Sequence, residues 1–355
     1  MRRGKASLGK ARRGALALTG VALALLAARP SGADPSGPFS WGAVHVADAG
    51  WGRMIRLAPG HWLSVGTLYP SPATHLLQIK ESRDNARTWS VLSQVTEPGR
   101  RMDNGELIQL PGGAVLLTGR SVVDNQSFHL PVYRSTDGGA HWTYLSGIDA
   151  NDSVASANHP SQGLWEPHFF LLPGDRLAVA YASEKHSVQV PAYSQVCAEK
   201  VSGDGGTTWG PETLLAAQPG GGGLRPGMPV VARMADGHYI EVSEIVGVGK
   251  ADVYSKVSPD GVHWPDGLGD PIPSQHAGPW VTSLSDGRLV VSSCANEIST
   301  SDDYGKTWHL TSPPAWDIGF TLSFPAIYQT GPREIAVMNT HRGVNIRFGS
   351  FAPRR

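Results

Sequence analysis

Two glutamates stand in contexts that could do chemistry. Glu166 lies in Gly163-Leu-Trp165-Glu166-Pro167-His168-Phe169-Phe170, and Glu244 ends the run Tyr239-Ile-Glu-Val-Ser-Glu244. A carboxyl set among Trp165, Pro167 and Phe169 is expected to be partly desolvated. Desolvation disfavours the charged form and raises the pKa toward that of a general acid. Two carboxyls, one protonated and one ionised, can break an acetal C–O bond: one protonates the departing oxygen while the other attacks or activates water. The ordinary alternative is that each glutamate satisfies buried backbone or pairs with an arginine such as Arg225. The two readings separate on whether the chain brings both glutamates to one place.

The elements that would do so are repeats. A turn of the form Ser-x-Asp-x-Gly-x-Thr-Trp recurs five times. The copies are Ser82-Arg-Asp84-Asn-Ala86-Arg-Thr88-Trp89, Ser135-Thr-Asp137-Gly-Gly139-Ala-His141-Trp142, Ser202-Gly-Asp204-Gly-Gly206-Thr-Thr208-Trp209, Ser258-Pro-Asp260-Gly-Val262-His263-Trp264 and Ser301-Asp-Asp303-Tyr-Gly305-Lys-Thr307-Trp308. The fourth is one residue short, and the first has Ala86 where glycine is usual. In such a turn the Asp accepts backbone N–H groups, the Gly adopts positive φ and the Trp plugs the turn against the sheet. Interleaved with it is a second hairpin pattern: IRLAPGHWLSVG, IQLPGGAVLLTG, FFLLPGDRLAVAY, ARMADGHYIEVSE and TSLSDGRLVVSS. One hairpin of each kind makes four strands, and the units recur every 43 to 67 residues, the size of a propeller blade. A sixth unit, SFPAIYQTGPREIAVMN followed by VNIRFGSFA, lacks the Ser-x-Asp turn, and WGAVHVA at 41–47 has no partner of its own. That segment is expected to become the outer strand of the sixth unit. The expectation is an all-β, six-bladed β-propeller occupying residues 34–355 as a single domain.

Antiparallel strands counted outward from the axis put every Pro/Asp-Gly turn and every Ser-x-Asp turn on one face. Asp84, Asp137, Asp204, Asp260 and Asp303 therefore read as turn residues, far from any chemistry. The opposite face carries the starts of first strands and the ends of second strands. Glu166 and Glu244 should meet there from neighbouring blades. Arg53, Asn104, Arg120, Trp165, Arg225 and His276 fall on the same face and are expected to contact a substrate, while His168 reads as a hydrogen-bond donor or a structural residue.

The Ser-x-Asp turns resemble the Asp boxes of sialidase-like propellers. LWEPHFFLLPGDRLAVAYASE, RPGMPVVARMADGHYIEVSE and YRSTDGGAHWTYLS resemble glycoside hydrolase family 93, the exo-1,5-α-L-arabinanases. The likeness spans most of the chain and is sharpest over 101–245. It implies release of arabinobiose from the non-reducing end of linear arabinan with retention of configuration. It also implies that Glu166 and Glu244 are catalytic, with Glu166 as acid/base and Glu244 as nucleophile, the reverse assignment staying open. The family is expected to place a tyrosine beside these carboxylates from the last blade; Phe324 of Ser323-Phe324-Pro325 stands at that position.

Composition agrees with this architecture. Gly 43 and Pro 27 make about a fifth of the 355 residues, and charged residues only 17%, which excludes helical bundles and coiled coils. Lys+Arg and Asp+Glu are both 30, so no basic field points to a nucleic-acid partner. Residues 1–33 read as a secretory signal peptide: a basic stretch, the apolar run GALALTGVALALLAA, then Ser31-Gly32-Ala33. A secreted monomer is expected, off the membrane once the signal is cleaved. Cys197 and Cys294 fall in non-adjacent units and read as two buried free thiols. The histidines show no close ligand spacing, so no metal and no cofactor is expected. Two rivals are an exo-sialidase and a non-catalytic glycan-binding propeller. The first wants three arginines on a carboxylate and a tyrosine nucleophile; Arg53 and Arg225 supply two of the three.

Overall fold

The computed structural model describes residues 42–351 apart from 125, 153–161, 220–222 and 312; the signal-peptide assignment lies outside the described residues. Apart from one 3₁₀ turn at Lys185–Val188, the regular structure is strand. Blade 1 is β2 (Gly50–Ala58), β3 (His61–Ser71), β4 (Thr74–Ser82) and β5 (Ser90–Val95), and blade 2 is β6 (Arg101–Gln109), β7 (Val115–Val123), β8 (Ser127–Ser135) and β9 (Thr143–Asn151). Blade 3 is β10 (Leu164–Leu172), β11 (Arg176–Ser183), β12 (Val196–Ser202) and β13 (Thr213–Ala216), and blade 4 is β14 (Arg225–Arg233), β15 (Tyr239–Val246), β16 (Asp252–Ser258) and β17 (Asp270–His276). Blade 5 is β18 (Trp280–Ser283), β19 (Leu289–Ser292), β20 (Ile298–Ser301) and β21 (His309–Thr311). Blade 6 joins β22 (Ala326–Gln329), β23 (Glu334–Asn339) and β24 (Val344–Ser350) to β1 (Gly42–Ala47), which pairs antiparallel with β24. The orphan segment thus closes the ring, as its lack of a local partner implied, and leaves the sheet ends of blade 6 tied to both ends of the chain.

The Ser-x-Asp turns work as their residue types require. In blade 3, Asp204 Oδ1 accepts Ser202 Oγ–H at 2.8 Å and Thr208 N–H at 2.9 Å, and Oδ2 accepts Thr208 Oγ–H at 2.6 Å. The Thr208 hydroxyl and N–H hold the Asp204 carboxyl down to about 2. Asp84 and Asp303 are held at about 2 by the same donors from Thr88 and Thr307. In blade 2, His141 replaces the threonine and its ring nitrogen takes the same place, 2.7 Å from Asp137 Oδ2. Where the usual glycine is Ala86, the residue still adopts φ 65°.

The plugs also fasten one blade to the next. Trp142 Nε1 donates to Ser93 Oγ at 3.0 Å, and Ser93 Oγ–H donates to Gly139 O at 2.6 Å. Trp209 and Ser146 repeat the arrangement one blade on, at 3.2 Å. In blade 4 the acceptor is instead a carboxylate: Trp264 Nε1 donates to Glu199 Oε2 at 3.0 Å. Glu199 is fully buried and its Oε1 has no hydrogen-bond partner. Burial drives its pKa up to about 8, against the opposing pull of the Trp264 N–H. Cys197, on the same strand, and Cys294 are both free and buried.

Glu199 makes stability pH-dependent in a defined direction. Its folded pKa lies above the unfolded value, so the unfolded chain ionises first and stability falls as pH rises from about 5 to 8. Glu199→Gln is expected to leave stability nearly unchanged at pH 5 and to raise it by about 1–3 kcal/mol at pH 8. Denaturant unfolding at the two pH values checks this; an equal loss at both would contradict it.

Candidate active site

All six inner strands begin with the same backbone device. A residue in the left-handed region precedes a glycine or proline: Trp51-Gly52 (φ 51°), Asn104-Gly105 (53°), Glu166-Pro167 (45°), Met228-Pro229 (53°), Gly278-Pro279 (49°) and Phe324-Pro325 (42°). In blades 1 to 4 the pairing of first and second strands slips there, between Gly50 and Arg53, Asp103 and Glu106, Trp165 and His168, and Gly227 and Val230. Positive φ costs a residue with a Cβ on the order of 1 kcal/mol, and the ladders on the far side of each bulge hold it in place. The dipeptides are present in the sequence of all six units, yet they carry no shared side chain and so form no pattern of residue types.

Two residues past each kink the side chain is buried: Arg53, Glu106, His168, Val230, Trp280 and Ala326. This layer carries its own electrostatics. Arg53 Nε lies 3.9 Å from Glu106 Oε2, and His168 Nδ1 lies 3.4 Å from Glu106 Oε1. Arg53 Nη1 donates to Gly52 O at 2.8 Å and Phe324 O at 3.1 Å, and its guanidinium lies 4.2 Å from the Trp51 ring and 5.0 Å from that of Trp280. A small cavity lies between this layer and Glu166.

Glu166 occupies the kink itself. Burial, and then the charge of Glu244, push its carboxyl up to about 8, while Arg120 and Arg225 pull the other way. Glu244, near the end of β15, is also raised by burial, but two groups favour its anion: the Gly278 N–H and Arg225. Its Oε2 accepts the Gly278 N–H at 2.7 Å. Gly278 is the one kink position without a side chain; a Cβ there would lie 2.9 Å from Cys294 Sγ and 3.0 Å from Phe324 Cδ1. The glycine lets the carboxylate reach the amide. Two carboxyls that sense each other's charge, both raised by burial but only Glu244 given a backbone donor to its anion, can divide the roles of acid and nucleophile or base.

The expected substrate contacts divide. Arg120 and Trp165 form one wall: the guanidinium lies 4.2 Å from the Trp165 ring and 3.3 Å from Asp103, which also takes His75 Nδ1 at 3.0 Å. Arg225 is partly exposed, with Nη2 2.5 Å from Glu184 Oε1 and 2.8 Å from Gln195 Oε1. Asn104 sits at the kink beside that of Glu166, one blade away, and its amide hydrogen-bonds no described residue. Arg53, expected at the mouth, is only 3% exposed; it supports the floor and reaches no solvent-facing wall. His276, expected at the start of blade 5, lies instead on β17, the outermost strand of blade 4, with Nδ1 2.7 Å from Asp252. For Arg53 the sequence pattern located the face but not the depth, and for His276 it missed the blade. His168 is likewise below the mouth, its Nε2 3.1 Å from Val231 O. Glu106, Trp51 and Gln195 are functional candidates that the sequence pattern did not mark. Phe324 packs its ring 5.5 Å from Trp51, and Tyr328 packs beside Trp62 and Trp280, its hydroxyl accepting Met54 N–H at 3.0 Å.

No family model and no curated protein sequence matches the chain. Solved structures do. An arabinofuranosidase of glycoside hydrolase family 93 from Fusarium graminearum, in complex with arabinobiose, matches at TM-score 0.73 and 21% identity over 88% of this chain and 98% of that one. An α-L-arabinanase of Penicillium chrysogenum, also complexed with arabinobiose, matches at 0.74 and 22% over 86% and 96%. A sialidase of Streptococcus pneumoniae matches at 0.59 and 11% over 89% and 71%. The chain has the sialidase-like six-bladed propeller fold.

The Gly278 contact gives a direct test. Gly278→Ala is expected to cost about 1–3 kcal/mol of stability, from overpacking against Cys294 and Phe324 at positive φ. Unfolding in urea measures it, and an unchanged midpoint would show that the close approach is not rigid.

Proposed function

We propose that the protein is a secreted glycoside hydrolase that cleaves α-1,5-linked arabinan from its non-reducing end and releases arabinobiose with retention. The observation that carries this reading is the pairing of Glu166 and Glu244 at one mouth, both raised by burial but only Glu244 bonded to a backbone N–H. The arabinobiose bound to two structures of the same fold supports the choice of sugar.

In the proposed cycle Glu166, protonated at neutral pH, gives its proton to the glycosidic oxygen as Glu244 attacks the anomeric carbon. The C–O bond to the leaving sugar breaks and a glycosyl ester forms on Glu244. Ester formation removes the negative charge that helps to hold Glu166 protonated. The Glu166 pKa then falls, which suits it to take a proton from the water that hydrolyses the ester. Trp165 and Arg120 offer an apolar face and donors beside the reacting centre, and Asn104 offers a free amide.

The sialidase reading fits less well. Phe324 has no hydroxyl to act as a nucleophile, and Arg53 is buried against Glu106. Arg120 and Arg225 already face Asp103 and Glu184. A mouth whose arginines are matched by carboxylates favours a neutral sugar over an anionic one. A purely binding propeller would gain nothing from holding a carboxyl protonated beside a second one.

Incubation with linear 1,5-α-arabinan, and separately with a sialoside reporter, tests the reading. Arabinobiose release is expected, with a loss of at least about 10³-fold in kcat/KM for both Glu166→Gln and Glu244→Gln. The alkaline limb of kcat/KM should fall near pH 8, where Glu166 loses its proton. Release of sialic acid, or binding without turnover, would contradict it.

A further inference from the structure

Glu184, half-buried at the mouth end of β11, sends its two carboxylate oxygens to different elements. Oε2 accepts the Gly163 N–H at 2.7 Å, and the Glu184 N–H donates back to Gly163 O at 3.0 Å. Gly163 immediately precedes β10, which carries Trp165 and Glu166. Oε1 takes Arg225 Nη2 at 2.5 Å, at the start of the strand next to Glu244. The same Arg225 nitrogen donates to Gln195 Oε1 at 2.8 Å, and Gln195 Nε2 donates to Pro226 O at 2.8 Å. Glu184 and Gln195 are the two ends of one loop, so the loop closes on Arg225 from both sides. Its outer part is pinned to neighbouring elements: Lys185 Nζ lies 2.8 Å from Asp149, and His186 Nε2 lies 2.5 Å from Glu212. The β11–β12 ladder runs unbroken from Leu177–Ser202 to Ser183–Val196 without help from these contacts. The grip on Arg225 is therefore additional to what builds the blade.

We propose that Glu184 is a positioning residue for the reacting pair, holding the strand of Glu166 and the guanidinium beside Glu244 in one register through the loop it shares with Gln195. This rests on the reading of Glu166 and Glu244 as that pair. The charged groups facing Glu166 are Glu244 on β15, Arg120 on β7, Glu184, Arg225 on β14 and Arg53 on β2. Glu184 raises the Glu166 pKa and Arg225 lowers it. Neutralising Glu184 removes a raising charge and leaves Arg225 without its carboxylate partner, and both changes move Glu166 downward.

Two variants and two readouts test this. On linear arabinan, Glu184→Gln is expected to lower kcat about tenfold with KM within about twofold, and to bring the alkaline limb to lower pH. Gln195→Ala removes grip but no charge, so it should lower kcat and leave the limb in place. The second readout needs no substrate: the Glu166 carboxyl is titrated by ¹³C NMR of glutamate-labelled protein, and its midpoint should fall in Glu184→Gln. If the native protein cleaves no arabinan, the proposed activity fails and the NMR midpoint alone decides the positioning role. An unmoved midpoint, or a kcat within about twofold of native with an unmoved limb, overturns it. Should Glu184→Gln not fold, an unchanged kcat in Gln195→Ala overturns it.

Discussion

Every inner strand of this propeller turns into the ring through a left-handed residue followed by glycine or proline, and the site depends on that turn. A strand that ran straight would alternate its side chains between the two faces of its blade. In blades 1 to 4 the kink inserts a residue and shifts the register, and in all six blades it takes one residue at the mouth out of the ladder. In blade 3 that residue is Glu166. In blade 5 it has no side chain at all, and the bared Gly278 amide takes the Glu244 carboxylate. One backbone device, repeated six times, delivers an acid at one position and an anion-holding N–H at another. The strain is tolerable because strands on both sides of each bulge are paired and cannot relax it.

Below the kinks, Arg53, Glu106, His168 and Trp280 close the axis with a charged, aromatic layer. Its guanidinium bonds the carbonyls of Gly52 and Phe324, the residues flanking and occupying kinks in blades 1 and 6. The N- and C-terminal strands meet in that same blade 6. The floor of the mouth and the closure of the ring are thus coupled: a loosened β1 would be felt at Phe324 and Trp51. Burial does the rest. It raises both mouth carboxyls, and the difference between them comes from their neighbours: Glu244 has the Gly278 N–H and Arg225, while Glu166 faces another carboxylate.

Much of this was readable in the sequence, and the limits have physical causes. Five Asp boxes and five Pro/Asp-Gly hairpins are local signals, each contained in about a dozen residues, so blade number, the closing strand and the mouth face followed from them. The shared face of Glu166 and Glu244 followed from the turn count and alternation, while their proposed role leaned on the family resemblance as well. Depth did not follow. Arg53 sits near the mouth end of its strand, and contacts with Glu106, Trp280 and Phe324, each from a different blade, bury it. His276 precedes blade 5 in the chain but pairs as the last strand of blade 4, because the chain crosses to β18 only at the kink after it. The serines that receive the tryptophan plugs, Ser93 and Ser146, and the grip of Glu184 on Arg225 join residues far apart in the chain. No local pattern marks them.

In the proposed reaction Glu244 is the nucleophile and Glu166 its protonated partner. A mechanism-based 2-deoxy-2-fluoro-arabinofuranosyl reagent, followed by intact mass and peptide mapping, tests it most directly. One sugar adduct per chain is expected, attached at Glu244 and absent in Glu244→Gln. An adduct on Glu166, or full inactivation with label at neither glutamate, would contradict it.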